Sequence, residues 1–447
     1  MADILPGGIN VGTFRFLTHR YDAEKGEAEL AYSFDDGEAL FERIRFPYQP
    51  WPSDPSRQAA FERALGLLHL IAGVSYYKAC VPSVMDTGDH RIDPGLARFL
   101  TDLYVHGLGE FAYVNGLDLA PRVNFGVNEE DELPEIELDL PERALVAMGG
   151  GKDSLVSLEL LREGGLEVQP ICVGTSGLIA STVEAAGLPL IQVDRELSPK
   201  LKEMYDAGAL NGHVPVTAIN SAILLCASLL YGYRWVVFSN ESSASEYTLV
   251  NEQGTPVNHQ YSKGIAFEKA LRAMVSSHVS PGIEYFSLLR PLKELAIAGK
   301  FSTLTRYHPV FSSCNRNFHQ DGPRISSRWC GNCPKCRFTT LALAPFLSPQ
   351  DLVDFMGTDL LDSAEQEEGF RALCYLGIEK PFECVGTVDE SRAAINHLAG
   401  KDDWKNKAII RQLAPELASL DVPEFSALLS ERDEHCIPAS VKSHVDL

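Results

Sequence analysis

Positive charge is scarce in this chain: 39 Lys and Arg stand against 61 Asp and Glu, a formal net charge of −22 over 447 residues. Nucleic-acid binding draws much of its affinity from counterions released by Lys and Arg. The balance therefore argues against a DNA or RNA partner, and any polyphosphate must be met by a few concentrated cations. Long apolar runs are lacking too. The longest, Ala218 to Leu230, is broken by Asn220 and Ser221 and is too short to span a bilayer, so no membrane partner is expected. Residues Met1 to Pro6 contain neither a basic start nor an apolar core of signal-peptide length, which leads to the expectation of a cytoplasmic protein. No internal repeat or low-complexity tract stands out. Ten cysteines do not suggest a disulfide scaffold in a chain of this size. In a reducing compartment a tight cysteine cluster more often binds metal.

What is present is an ordinary globular composition, 45% hydrophobic, in a chain long enough for two or three domains. Residues 1–127 read as an α+β unit. Strand character runs through Thr13–Phe16, Ala28–Ser33 and Ile44–Phe46, and apolar spacing predicts helices over Phe61–Ile71 and Leu96–Val105. The acidic segment 128–142 is a linker or, through the alternation of Ile136, Leu138 and Leu140, an edge strand. From 143 to 339 strands are expected at 144–148, 168–173, 189–193, 234–239 and 283–288, with helices at 154–163, 177–186, 216–231 and 264–277. That alternation predicts an α/β fold, a parallel doubly wound sheet covered on both faces, whose ligands bind beyond the carboxyl ends of the strands. Residues 340–447 read as a mostly helical C-terminal region.

The densest signal is Gly149-Gly150-Gly151-Lys152-Asp153-Ser154, set between the apolar run Ala144–Met148 and a stretch carrying Leu155, Leu158 and Leu161. A strand, a glycine turn and a helix start make an anion site, because the glycines admit close backbone approach and the first helical N–H groups point outward unpaired. Asp153 stands where a Walker loop needs Ser or Thr, and Ser154 where a dinucleotide fingerprint needs Gly. The run resembles the Ser-Gly-Gly-x-Asp-Ser loop of the PP-loop ATP pyrophosphatases, with Gly149 in place of the first Ser. The resemblance implies ATP cleavage to AMP and diphosphate, with Gly149, Gly150, Gly151, Lys152 and Ser154 around the nucleotide, Mg²⁺ on Asp153, and the rim segment Gly174-Thr175 near adenine.

Cys330, Cys333 and Cys336 stand at two-residue gaps in Trp-Cys-Gly-Asn-Cys-Pro-Lys-Cys, and Cys314 lies upstream. Four thiolates close a tetrahedral zinc site with no open position, so such a Zn²⁺ would be structural; three clustered cysteines and a distant fourth also suit an iron–sulfur cluster. The arrangement is similar to the zinc site of the deazaguanine nitrile synthases of the same superfamily.

Other candidates sit where loops enter the active rim. His213 and His259 are acid–base candidates, with Lys263 and Glu241 as substitutes. Asn240, Arg290, Lys293, Arg324 and Arg328 are candidates for substrate, arginine being suited to grip a carboxylate or diphosphate bidentately. Taken together, the glycine loop, His213-Val-Pro215, the segment Asn-Glu-Ser-Ser-Ala-Ser-Glu-Tyr at 240–247 and the cysteine cluster resemble the UDP-N-acetylmuramoyl-L-alanyl-L-glutamate epimerases of cell-wall precursor synthesis. That resemblance implies ATP-dependent inversion of the terminal L-Glu of a UDP-sugar dipeptide, with residues 1–127 free to hold the nucleotide-sugar end. Two other readings stay open: a ligase or nitrile-forming enzyme in which ammonia or an amine captures the adenylate, and a nucleotide-sensing module without activity. The oligomeric state is not legible.

Overall fold

A computed structural model of the chain describes residues 11–47, 51–131, 133–247, 249–250, 256–317 and 327–447. Its strands are β1 (Thr13–Asp22), β2 (Glu27–Phe34), β3 (Leu40–Arg45), β4 (Val84–Asp86), β5 (Arg143–Ala147), β6 (Glu167–Val173), β7 (Ile191–Glu196), β8 (Trp235–Phe238), β9 (Leu249–Val250), β10 (Pro256–Val257) and β11 (Glu284–Ser287). Nine of them form one sheet in the order β11-β8-β5-β6-β7-β3-β2-β1-β4, and β9 and β10 make a separate hairpin.

The five strands from β11 to β7 are parallel, as the alternating pattern predicts. Their faces follow from the two-residue period of a strand. Leu145, Val236 and Tyr285 point into one apolar cluster, and Val146, Val237 and Phe286 into another. Helix Val216–Tyr231 packs on the first face and helix Lys152–Glu163 on the second. The sheet then continues past the expected boundary near residue 127. β3 pairs antiparallel with β7, with Arg43 opposite Glu196 and Arg45 opposite Asp194. The N-terminal strands thus cover an edge that would otherwise present unpaired N–H and C=O groups. Helix Pro55–Ala72 packs against Val216–Tyr231 in the same apolar cluster, so the N-terminal α+β unit shares both sheet and core with the parallel half.

Segment 128–142 forms no strand among its described residues. Ile136 and Leu138 lean on the core and Leu140 is buried. The expected helix at 264–277 is Ile265–Met274 followed by a π-turn over Val275–Val279. Helices also form at Pro199–Asp206 and Glu294–Ser302, which the sequence reading leaves out. The C-terminal region is helical, as expected, and packs against the second face through helices such as Pro334–Leu343, Val388–Ala399 and Ala408–Leu417. No helix among the described residues is long and apolar enough to cross a membrane.

Candidate active site

The chain runs from β5 to β6 and β7 on one side and places β8 and β11 on the other. The strand order therefore reverses between β5 and β8, and a crevice opens at such a switch point beyond the carboxyl ends. Gly149–Ser154 occupies it. Gly150 has φ +74°, a left-handed conformation that glycine adopts without strain. Helix Lys152–Glu163 then starts from Gly151 with no side-chain cap, leaving its first N–H groups available to an anion. A Cβ on Gly151 would lie 2.9 Å from Ser313 Oγ, so the loop and the 312–315 segment approach closely. Ser312 N–H donates to the Gly150 carbonyl at 3.3 Å.

A cavity of about 370 Å³ opens over the loop, lined by Gly149, Gly151, Asp153 and Ser154, the ends of β5, β6 and β8, and Ser312, Ser313 and Lys335. A deeper hollow of about 90 Å³ adjoins it and shares Asp153, Ser239, Asn240, Lys263, Ser313 and Lys335; Lys152, Glu241, Glu294 and Cys384 are among the rest of its lining. The Ser239 hydroxyl is shut off from solvent and has no partner, an orphaned polar atom that a ligand would satisfy.

Charges are concentrated here. Lys152, 3% exposed, bridges Asp153 (2.5 Å) and Glu294. Burial alone would lower its ammonium, but the two carboxylates outweigh it and hold it above its ordinary value. Burial raises Glu294 to about 8 against the pull of Lys152. Glu241 caps the short helix Ser242–Ser245, accepting from the Ser243 N–H and, at 2.7 Å, from its hydroxyl. Burial and then the repulsion of Glu390 raise Glu241 to about 7. Asn240 donates to Ser287 Oγ at 2.9 Å.

The two histidines meet behind this wall. Their rings are 4.7 Å apart and share Glu110, from helix Gly109–Asn115, which bonds His259 Nδ1 and lies 3.5 Å from His213 Nδ1. Burial opposes the charged form of His259, but hydrogen bonds to Cys384 and Glu110 raise it to about 9. Burial and the neighbouring His259 lower His213 to about 4. Neither imidazole is among the described residues lining the two hollows. The N-terminal unit thus reaches the site through Glu110, and through Lys78, whose ammonium holds Asn211 Oδ1 (2.6 Å) and the Gly212 carbonyl (2.9 Å) beside His213.

Arg290 stands behind the cavity, not on its rim. At 2% exposure its guanidinium is bound by Glu268, by the Glu241 carbonyl (2.6 Å) and by the Lys263 carbonyl (2.5 Å), so it fixes the backbone under two site residues. Lys293 is buried at the start of helix Glu294–Ser302. Gly174, at φ +84°, and the exposed Thr175 follow Val173, the last cavity-lining residue of β6. Arg328 is exposed and Arg324 lies outside the described residues.

The four cysteines converge. All their sulfurs lie within 4.8 Å of one another, with Cys330–Cys336 at 3.8 Å and Cys333–Cys336 at 3.5 Å. Four thiolates about 2.3 Å from one ion stand about 3.8 Å apart, so the set fits a single tetrahedral metal. Cys314 N–H donates to Ser312 Oγ at 3.0 Å, which ties this site to the glycine loop through two residues.

The sequence reading missed Lys335, Glu294, Glu110 and Cys384. Lys335 lies inside the cysteine motif, and Cys384 is a cysteine left over from it. Glu294 and Glu110 carry no local signal.

The class these features define is an α/β protein with an uncapped glycine turn at the switch point of its sheet and a four-cysteine metal-type site packed beside it. The chain belongs to the MurL family: the MurL N-terminal domain matches residues 9–288 and the MurL C-terminal domain residues 310–426. It is 46% identical over 439 residues, 97% of each chain, to a UDP-N-acetyl-alpha-D-muramoyl-L-alanyl-L-glutamate epimerase of Xanthomonas oryzae pv. oryzae (strain MAFF 311018). Proteins of the same name from Salinispora tropica (41% over 418 residues, 91% of this chain and 89% of the relative) and Micromonospora sp. (42% over 416 residues, 91% of each) are similar as well.

Proposed function

We propose that this chain is an isomerase that inverts the terminal L-Glu of UDP-N-acetylmuramoyl-L-alanyl-L-glutamate to D-Glu, in the cytoplasmic stage of peptidoglycan precursor synthesis. ATP converts the carboxylate to an acyl adenylate, and AMP and diphosphate leave. Family membership over nearly the whole chain supports the substrate and the inversion. The observation that carries the chemistry is the glycine turn at the switch point, opening on a cavity that also holds Lys152, Asp153, Glu294 and Glu241.

Physical chemistry explains the need for activation. Removing the α-proton beside a free carboxylate places a second negative charge next to the first. As an adenylate, the carboxyl becomes an electrophilic carbonyl, and the carbanion is an enolate that donors can stabilise. The sheet and loop make a PP-loop ATP pyrophosphatase fold the reading of choice. The loop N–H groups and Ser154 hold the departing diphosphate. Gly174 and Thr175, just beyond the end of β6, are the proposed contacts for adenine. Lys152 steadies Asp153 and Glu294, and Asp153 is the one of these carboxylates open enough to take Mg²⁺, its side chain being 34% exposed. Bound Mg²⁺ would neutralise charge on the leaving diphosphate. Zn²⁺ is the ion that best fits Cys314, Cys330, Cys333 and Cys336, in a structural role.

Glu241, lining the deep hollow and raised to about 7 by burial and then the repulsion of Glu390, is proposed as one proton-transfer group. Lys263 meets the developing charge. His213 and His259 act from behind, tuning the groups that touch substrate, and Arg290 holds the segments that carry Glu241 and Lys263. The N-terminal unit, with Glu110 at the site, is the candidate holder of the UDP-sugar end, together with the exposed Arg328.

The test is one incubation of the full chain with Mg²⁺, ATP and the L-Glu substrate in deuterated water. AMP, diphosphate and deuterium at the glutamate α-carbon of a D-configured product are expected. Nitrogen captured at the carboxyl would transfer the reading to a ligase, and the absence of AMP would end it.

A further inference from the structure

Cys384 belongs to the C-terminal region, between the helices Glu367–Leu373 and Val388–Ala399, and no sequence motif surrounds it. The fold nevertheless brings it onto the wall of the deep hollow, together with Lys152, Asp153 and Glu241. Lys263 Nζ donates to its sulfur at 3.0 Å. Lys335, from helix Pro334–Leu343, faces the same space, and His259, tied to Glu110, is hydrogen-bonded to it from behind. Lys263 and His259 from one loop and Lys335 from a distant helix therefore surround one sulfur at a cavity surface. A structural core cysteine has apolar neighbours and no use for such company. The thiolate is the nucleophilic and basic form of cysteine, and adjacent Lys and His⁺ favour it.

We propose that Cys384 is a catalytic residue of the inversion, the base that removes the α-proton of the adenylated L-Glu terminus on the face opposite Glu241. This rests on the epimerase reading above and adds to it the second proton-transfer group. The Cα–H bond breaks and an S–H bond forms. The electron pair moves onto the carbonyl oxygen as an enolate, close to the ammonium groups of Lys263 and Lys335. The Glu241 carboxyl then returns a proton to the other face, the pair flows back from oxygen to carbon, and the new Cα–H bond has inverted configuration. Exchange with solvent resets the thiol and the carboxylate. Water opens the anhydride to carboxylate and AMP. Burial alone would raise the Cys384 thiol, but the positive groups of Lys263, Lys335 and His259 pull it well below its ordinary value, which favours the thiolate, the form that accepts a proton.

The experiment compares the wild-type chain with Cys384→Ala and Cys384→Ser, using Mg²⁺, ATP and the L-Glu substrate in deuterated water, and follows AMP and α-deuterium separately. Loss of general base catalysis is expected to reduce α-deuteration roughly 100-fold or more, while AMP release falls by less than about tenfold because the adenylate still hydrolyses. α-Deuteration at the wild-type rate in Cys384→Ala would overturn the proposal. So would loss of AMP and deuterium in equal measure, since Cys384 would then serve adenylation or folding. Alkylation of the wild-type chain with iodoacetamide gives a second readout that no folding defect can mimic. Modification of Cys384, mapped by mass spectrometry, should track loss of α-deuteration while AMP release persists, and full inversion by chain alkylated at Cys384 would also overturn the idea. If the wild-type chain itself makes AMP without inversion, the epimerase reading fails instead.

Discussion

On one wall of the cavity, six consecutive residues, Gly149 to Ser154, carry the backbone turn, the helix start, a carboxylate and a hydroxyl. On the other, Lys263, Lys335 and Cys384 come from three distant segments and meet only because the C-terminal helices fold back onto the second face of the sheet. The first wall is set by local geometry: a strand that ends, a left-handed Gly150, and a helix that begins. The second is set by packing, and in it Lys263 and Cys384 favour each other's charged forms. A contiguous anion site keeps its shape if one side chain is altered, whereas a cluster assembled from afar depends on each member and on what anchors it.

The sharpest way to break the first wall is Asp153→Asn. Asp153 is the proposed Mg²⁺ ligand and pairs with Lys152; with both interactions weakened, AMP release should fall by about 100-fold or more, and α-deuteration should fall with it. Measured diphosphate release at the wild-type rate would remove Asp153 from this role. The contrast with Cys384→Ala is the point: one variant loses both products, the other loses only the deuterium.

A smaller effect tests how the walls are joined. Cys333→Ser should lower bound metal toward zero by elemental analysis and reduce the melting temperature by roughly 5 °C or more. Because Cys314 holds Ser312, and Ser312 holds Gly150, the KM for ATP should rise as well. An unchanged metal content and melting temperature would dismiss the metal site.

The smallest expected effect sharpens the second wall. His259 is raised from 6.5 to about 9 by Cys384 and Glu110, against burial. A folded-state value above the unfolded one stabilises the fold fully below about pH 6.5 and loses that contribution as pH rises through about 9. Cys384, held well below its ordinary value, contributes with the opposite sign over the same window, so the decline is read in Cys384→Ala. In that background Glu110→Gln should flatten the fall in melting temperature between pH 6.5 and 9. An identical pH profile in Cys384→Ala with and without Glu110→Gln would show that Glu110 carries no such coupling.

Most of the parallel half was legible. Apolar runs at β5, β6 and β8 and the Tyr285-Phe286 pair of β11 alternate with helical spacing, and glycine turns mark the loops between them. The cysteine cluster was legible for the same reason, three of its members lying within one turn-and-helix start. Arg290 shows where such reading stops. Its place next to Pro291 suggests a rim position, but Glu268, 22 residues away in sequence, draws it into the interior. Likewise, the alternation of Ile136, Leu138 and Leu140 suggests an edge strand, yet β3 already covers the open edge of β7, and these residues lean on the core outside any strand.

The sequence by itself determined the glycine turn, the four thiolates and the alternation of strand and helix, because each depends on φ preferences, spacing and periodicity within a few residues. The tertiary structure alone decided that the N-terminal strands extend the same sheet and that Glu110 reaches His259. It also decided that Cys384 meets Lys263 on the wall of a cavity shared with Asp153. These contacts join residues more than a hundred positions apart, and their energy comes from burial and charge in a space that exists only after the chain has closed around it.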